Sequence, residues 1–266
     1  MILVVGGSGY LGGRLVRAAL DGGRRVAATY ASRPGGDGVR WLGVDLRESA
    51  SIEAALDAVR PRVVVNSSSG GADWAVTADG AARLAAAARA RGCRLVHVSS
   101  DAVFSGADVR YAEECLPDPV TTYGAAKAAA ETAVRAVDPA AVVARTSLIV
   151  GDGRSKHEEF VRALATGQRP GVLFTDDIRC PVHVDDLAAA LLEVADGDTA
   201  GVVHLGGADA VSRHELGTLI ARRDGYAVDA LRAAPAPAGR DIRLDGTRTQ
   251  AALGVRLRGA REFLTV

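Results

Sequence analysis

Met1-Ile-Leu-Val-Val-Gly-Gly-Ser-Gly-Tyr-Leu-Gly12 opens the chain and decides its fold. The apolar run before Gly6 has the pattern of a strand buried on both faces. Glycines at 6, 9 and 12 follow at once, and Arg14-Leu-Val-Arg-Ala-Ala-Leu20 then shows helical periodicity up to Gly22-Gly23. Strand, glycine turn and helix in this order bring a backbone close to a pyrophosphate. The glycines permit the tight turn and close helix–strand packing, and the helix N-terminus presents its free N–H groups to the phosphates.

The alternation continues along the chain. Residues 25–30, 39–44, 62–66, 94–98 and 141–146 read as strands, and 49–59, 77–91 and 122–137 as helices, with Ser49 placed as an N-cap. Repeated strand and helix imply an α/β fold, a Rossmann-type doubly wound parallel sheet that binds ligands at the carboxyl ends of its strands. Residues 1–150 are expected to form the dinucleotide-binding domain. Beyond Gly151 the pattern is less regular, and 151–266 is read mainly as a smaller C-terminal substrate-binding lobe. Residues 182–206 return to the first domain through a helix capped by Asp185 and a strand over 202–205, and Ser212 caps a further helix. His97, inside a strand, reads as a packed core residue, and His183 as a residue ordering a strand-to-helix turn.

Cofactor type is read just after the second strand. Folds that take NAD usually carry an acid there for the ribose hydroxyls. Residues 29–36 hold no acid but do hold Arg33, whose guanidinium suits the 2′-phosphate of NADP. The small residues Ser67-Ser-Ser-Gly-Gly71 would let such a cofactor lie close.

The chemistry is read from Tyr123-Gly-Ala-Ala-Lys127. On a helix, residues four apart share a face. An ammonium beside a phenol favours the phenolate and lowers the tyrosine pKa from roughly 10. Composition sharpens the point: of 32 Lys+Arg only Lys127 and Lys156 are lysine, which leaves 30 arginines. Arginine does not replace a compact, titratable ammonium, so a lysine in this chain marks a site needing lysine chemistry. Ser100 and Ser67 fall at predicted carboxyl ends of strands, where they can meet that tyrosine.

Bulk properties exclude other classes. Formal net charge is zero, so there is no electrostatic footprint for nucleic acid. No apolar run approaches the roughly 20 residues that span a bilayer. Met1 runs straight into a strand pattern without room for a signal peptide, so a cytoplasmic location is expected. Cys93, Cys115 and Cys180 are odd in number and widely spaced, which fits free thiols, and the scattered histidines suggest no metal site. The Ala- and Arg-rich composition is that of a GC-rich bacterial genome.

With Gly6-x-x-Gly9-x-x-Gly12, a strand-end serine and Tyr123-x-x-x-Lys127 in this order, the chain resembles the extended short-chain dehydrogenase/reductases. More narrowly it is similar to the dTDP-4-dehydrorhamnose reductase group of sugar-nucleotide reductases. The carrying stretches are Val4 to Gly13, Val96-His-Val-Ser-Ser-Asp-Ala-Val-Phe-Ser-Gly106, Tyr111-x-Glu113 and Pro119-x-x-x-Tyr-Gly-x-x-Lys-x-x-x-Glu131. Weaker likeness runs through Arg145-Thr-Ser-Leu-Ile-Val-Gly151 and Pro181-Val-His-Val-Asp-Asp-Leu187. The resemblance implies NADPH-dependent hydride transfer to a ketone, with NADH left open. In it Tyr123 protonates the developing alkoxide, Lys127 holds the nicotinamide ribose, and Ser100 rather than Ser99 bonds the substrate oxygen. It places the cofactor against Gly6, Ser8, Gly9, Tyr10, Leu11 and Gly12, then Arg33, Asp45, Leu46, Ser67 and Ser68, and finally Tyr123 and Lys127. Substrate, a keto-sugar nucleotide, is placed against Asp101, Val103, Ser147, Leu148 and Arg179, the last as a diphosphate ligand. Ala102, Thr77 and Leu148 stand where the family usually has Tyr, Asn and Trp. An NAD-dependent epimerase or dehydratase and a non-catalytic NADP-binding regulatory subunit stay open, as does a homodimer.

Overall fold

The computed structural model describes residues 1–265. Its centre is a seven-stranded sheet: β1 (Ile2–Val5), β2 (Val26–Tyr30), β3 (Arg40–Gly43), β4 (Val63–Asn66), β5 (Arg94–Ser100), β6 (Val142–Thr146) and β7 (Gly201–Leu205). All pairs are parallel and the order is β7-β6-β5-β4-β1-β2-β3. The chain reverses its direction of winding between β1 and β4, and a crevice opens there at the carboxyl ends.

Two layers of helix cover the sheet. On one face α1 (Tyr10–Asp21) packs beside α6 (Val184–Asp196), burying Leu11, Leu15, Leu187 and Leu191 against β1, β4 and β5. On the other, α2 (Ser49–Val59), α3 (Gly80–Ala90) and α4 (Thr122–Val137) bury Ile52, Leu56, Leu84 and Val134. The runs of fully buried Val and Leu in β1 and β4 are what a two-sided sheet demands. Gly12 is needed where α1 crosses the turn: a Cβ there would stand 2.1 Å from the Gly6 carbonyl oxygen.

Several local expectations shift by a turn or a residue. Ser49 is the first residue of α2, and the N-cap is Glu48 with no side-chain bond. The nearby hydroxyl of Ser51 instead accepts from the Asp45 N–H at 3.1 Å. The cap of α6 is His183, whose ring Nδ1 accepts from the Asp185 N–H, so the histidine orders that turn and Asp185 lies inside the helix. Ser212 does cap α7 (Arg213–Arg223). The helix expected from Thr77 begins as a π-helical turn, Ala75–Asp79, before α3. His97 is buried against Asn66 at 3.1 Å.

After β6 the chain builds a third apolar cluster, with Leu148, Val161, Leu164, Leu173, Leu216 and Ile220 at its centre. It is framed by α5 (Lys156–Ala165), α7 and two-residue ladders, Leu173–Phe174 with Ala233–Ala234 and Ile178–Arg179 with Val211–Ser212. Strand β7 then completes the central sheet. Among the described residues no helix is long and apolar enough to cross a membrane, and no group of three or more His, Cys, Asp or Glu is arranged to hold a metal.

Candidate active site

Helix α4 presents its first turn to the end of β5. Thr121 caps it, its hydroxyl accepting from the Gly124 N–H at 3.0 Å. Gly124 permits the close approach: a Cβ there would sit 2.0 Å from the carbonyl oxygen of Ala102. Tyr123 is thereby laid on the cleft beside the hydroxyls of Ser100 and Ser69. Ser99 and Ser100 point to opposite faces, as strand pleating requires. Ser99 donates to Glu131 at 2.5 Å, and Glu131 is held by Arg145 at 2.8 Å in a buried pair that braces α4 against β6. Ser100 faces Tyr123, caps the 3₁₀ turn Asp101–Val103, and donates to Asp101 at 3.3 Å.

Lys127 stands one turn below Tyr123, buried, with its ammonium donating to the Val98 carbonyl at 2.9 Å. Burial pushes its pKa down to about 8, and Glu131 opposes the fall. The expectation that this ammonium lowers the tyrosine pKa does not hold in this structure. Burial raises Tyr123; the bonds from Ser100 and Ser69 only partly offset that, and Asp101 adds to it. A phenol kept protonated in this way is set up as a proton donor.

Tyr10, Leu11, Ser67–Ser69, Ser99–Ala102, Tyr123, Lys127, Ser147, Leu148 and Arg179 all line one cleft of about 550 Å³. Through the Ser67–Ser69 stretch it joins a trough of about 450 Å³ lined by Gly6, Ser8, Gly9, Asp45 and Leu46. The trough is fit to hold a dinucleotide. Gly9 caps α1 without a side chain, leaving the helix N-terminus bare, and the glycine turn is pinned by Gly6 N–H donating to Thr29 at 3.1 Å. Thr77 ties down the opposite wall, bonding both Gly70 and Gly71. On the far side His157 and Arg213 link the cleft to a cavity of about 400 Å³ walled by Phe160, Phe174 and Arg169.

Two expected contacts lie elsewhere. Val103 is fully buried with Phe104, Tyr111, Ile242 and Leu244, so a substrate does not reach it. Arg33 is exposed on the loop after β2, outside the lining of the trough; the arginine that does line it is Arg47, paired with Asp73 at 2.6 Å and Asp45 at 3.4 Å. Arg179 is 1% exposed and held between Asp101 and Asp177, which is not the posture of a free cation at the cleft mouth. Sequence reading also missed Arg213, Arg240, His157 and Lys156, all on the cleft. Lys156 carried a signal, as the other lysine of an arginine-rich chain. The remaining three had none, because no local period links them.

The parallel sheet wound about a switch point, with serine, tyrosine and lysine at its carboxyl end, defines an extended short-chain dehydrogenase/reductase. The chain belongs to the family described as RmlD substrate binding domain, which it matches over residues 1–265. It is 33% identical to the dTDP-4-dehydrorhamnose reductase of Mycobacterium tuberculosis over 80% of this chain and 71% of that one. It is 36% identical to the enzyme of the same name from Mycolicibacterium smegmatis over 53% of this chain and 44% of that one. The matched stretch thus spans about half the length of the latter, and likewise of a Sinorhizobium fredii relative. In fold it is similar to the dTDP-4-dehydrorhamnose reductase of Bacillus anthracis solved in complex with NADP, with a TM-score of 0.84 and 20% identity, covering 99% of this chain and 96% of that one.

Proposed function

We propose that the protein is an NADPH-dependent reductase that transfers a hydride to a ketone, most suitably that of a 4-keto-deoxysugar nucleotide, with Tyr123 as proton donor. The observation that carries this reading is the meeting of Tyr123, Ser100 and Lys127 on one cleft that opens into the trough beside the glycine turn. Family membership and the names of the relatives supply the substrate class.

The glycine turn, the N-terminus of α1, Asp45, Leu46, Ser67 and Ser68 would hold the cofactor, with Lys127 at the nicotinamide ribose. A bound nicotinamide supplies the hydride. Ser100 donates a hydrogen bond to the ketone oxygen and orients it. Tyr123, held protonated by burial, gives its proton to that oxygen as negative charge develops there. The cavity beyond His157 is lined by Phe160 and Phe174, with Arg169 over the Phe160 ring at 5.0 Å and Arg213 paired with Asp177, a partly apolar and partly cationic wall that suits a base and a diphosphate. Leu148, where the family resemblance implies Trp, puts a smaller side chain on the cleft, so the ketone accepted need not be the rhamnose precursor. Arg33, exposed on the loop after β2, would have to swing over the edge of the trough to meet a 2′-phosphate, beside Arg47 which already lines it.

The test is a titration of purified protein with NADPH and NADH, followed by a screen of keto-sugar nucleotides. Tighter, reversible NADPH binding, weakened by Arg33→Ala while NADH binding is unchanged, is the expected result. NADH as the tighter ligand overturns the NADP reading. NAD carried through purification moves the protein to the epimerase class, and NADPH binding without turnover of any ketone favours a binding role.

A further inference from the structure

Behind the catalytic residues a line of buried charge runs from the tyrosine to the C-terminal lobe. Asp101, 4% exposed, follows Ser100 directly. Its Oδ2 accepts from the Ser147 hydroxyl at 2.6 Å and faces the Arg179 Nε at 3.6 Å. Its Oδ1 meets the Ser100 hydroxyl only at 3.3 Å, long for an O–H···O bond. Arg179 turns its Nη1 to Asp177 at 2.8 Å and donates to the carbonyls of Ile178 at 2.7 Å and Arg240 at 2.9 Å. Asp177 in turn accepts from Arg213 of α7 at 2.9 Å, and Arg213 approaches the His157 ring at 3.5 Å. The Nη2 of Arg179 has no partner among the described residues.

The arrangement has a chemical consequence. Ser100 has one proton, and both Asp101 and a substrate oxygen can take it. A carboxylate is the stronger acceptor, so an Asp101 free to turn would capture the hydroxyl and present its lone pairs to the ketone. Ser147 and Arg179 hold Asp101 by the other oxygen, and the Ser100 bond stays long. We propose that Arg179 is a positioning residue: by anchoring Asp101 through Oδ2 it leaves the Ser100 proton for the substrate, and through Asp177 and Arg213 it ties that geometry to the lobe. The inference rests on the reductase reading and assigns Arg179 to the ordering of the hydroxyl instead of to diphosphate binding.

The groups facing Tyr123 are Ser100, Ser69 and Asp101, with the Lys127 ammonium one turn below; those facing Asp101 are Tyr123, Ser100, Ser147, Arg179 and the thiol of Cys180. Removing Arg179 would release Asp101 toward Ser100 and bring an uncompensated negative charge nearer Tyr123, which disfavours the phenolate.

The experiment compares Arg179→Met and Arg179→Lys with the wild type by two readouts. One is steady-state kinetics on the accepted ketone. The other is the titration of Tyr123 followed by tyrosine-ζ ¹³C NMR, assigned with Tyr123→Phe, which needs no turnover. The expected result is a fall in kcat on the order of 10² with KM within a few-fold, and a Tyr123 titration moved to higher pH in the methionine variant. Lysine, which keeps a cation beside Asp101, recovers part of both, and carries the comparison where methionine lowers thermal stability. A raised KM at unchanged kcat would assign Arg179 to substrate binding. A fall in kcat with the Tyr123 titration unmoved would mean a merely structural arginine; either result overturns the proposal. If no ketone is reduced by the wild type, the reductase reading fails while the NMR comparison still decides the positioning role.

Discussion

The first six strands and the lobe that follows them are held together by different means. In the sheet, Ile2 to Val5 of β1 and the valines of β4 are buried, and large apolar clusters cover both faces, with few charges among them: Lys127 and the Glu131–Arg145 pair between α4 and β6. In the lobe the ladders are two residues long, and charge lies at the centre. Glu158 is 0% exposed and Arg179 1%. Glu158 closes a capping box with Ser155, accepts from the Gly151 and Gly153 amides, and pairs with Arg223 at 2.8 Å. The sheet is specified by a repeating backbone pattern that any run of β-branched residues can satisfy. The lobe is specified by particular polar contacts, each meaningless without its partner. That division would suit the proposed reductase, with one half holding the cofactor and the other reading the substrate.

The contrast is sharpest in what substitution does. Tyr123→Phe removes the proposed proton donor and leaves the packing of α4 intact, so turnover should fall by about 10² to 10⁴ with unchanged cofactor affinity and melting temperature. Full turnover in that variant would remove Tyr123 from the chemistry.

In the lobe the largest effect falls on stability. Arg223→Met strips the counter-charge from Glu158 and from the Gly151 carbonyl, which it bonds at 2.6 Å. Breaking a buried pair at one partner costs about 3 to 5 kcal/mol, and the amides that remain on Glu158 put this site at about 3. Urea unfolding reads the change. A midpoint equal to wild type would show that backbone amides alone hold the carboxylate, and the two regions would differ less than the packing implies.

The smallest effect lies where the regions touch. Asp152 accepts from the Tyr10 hydroxyl at 3.1 Å and pairs with Arg14 of α1 and Arg154. Although burial raises its pKa, the bonds from Arg154 and Tyr10 and the charge of Arg14 carry it down to about 2. A folded pKa below the unfolded value of roughly 3.9 gives stability above that value and loses it as pH falls through the folded one. The melting temperature of Asp152→Asn should therefore lie below wild type at neutral pH, with the gap closing between about pH 4 and about 2. A gap that persists to the acid end would assign the effect to packing.

Much of the site was legible before any coordinates. The residues from Met1 to Gly12 and the Tyr123–Lys127 spacing each lie within a few residues, so backbone period alone puts them at a strand end or on one helix face. The choice of Ser100 over Ser99 is of the same kind. Val103 failed for a related reason: nearness in sequence to Asp101 gave no warning that a 3₁₀ turn would aim it into the cluster around Phe104.

The sequence by itself determined the doubly wound sheet, the glycine turn and the serine, tyrosine and lysine set, because these are local patterns repeated by hydrogen-bond geometry. Only the tertiary structure decided that Arg179, Arg213 and Arg240 converge behind the cleft and that Tyr123 is raised and not lowered. Those outcomes depend on burial and on charges brought together from distant parts of the chain. Electrostatic energy follows distance in space and local dielectric, neither of which is written in the order of residues.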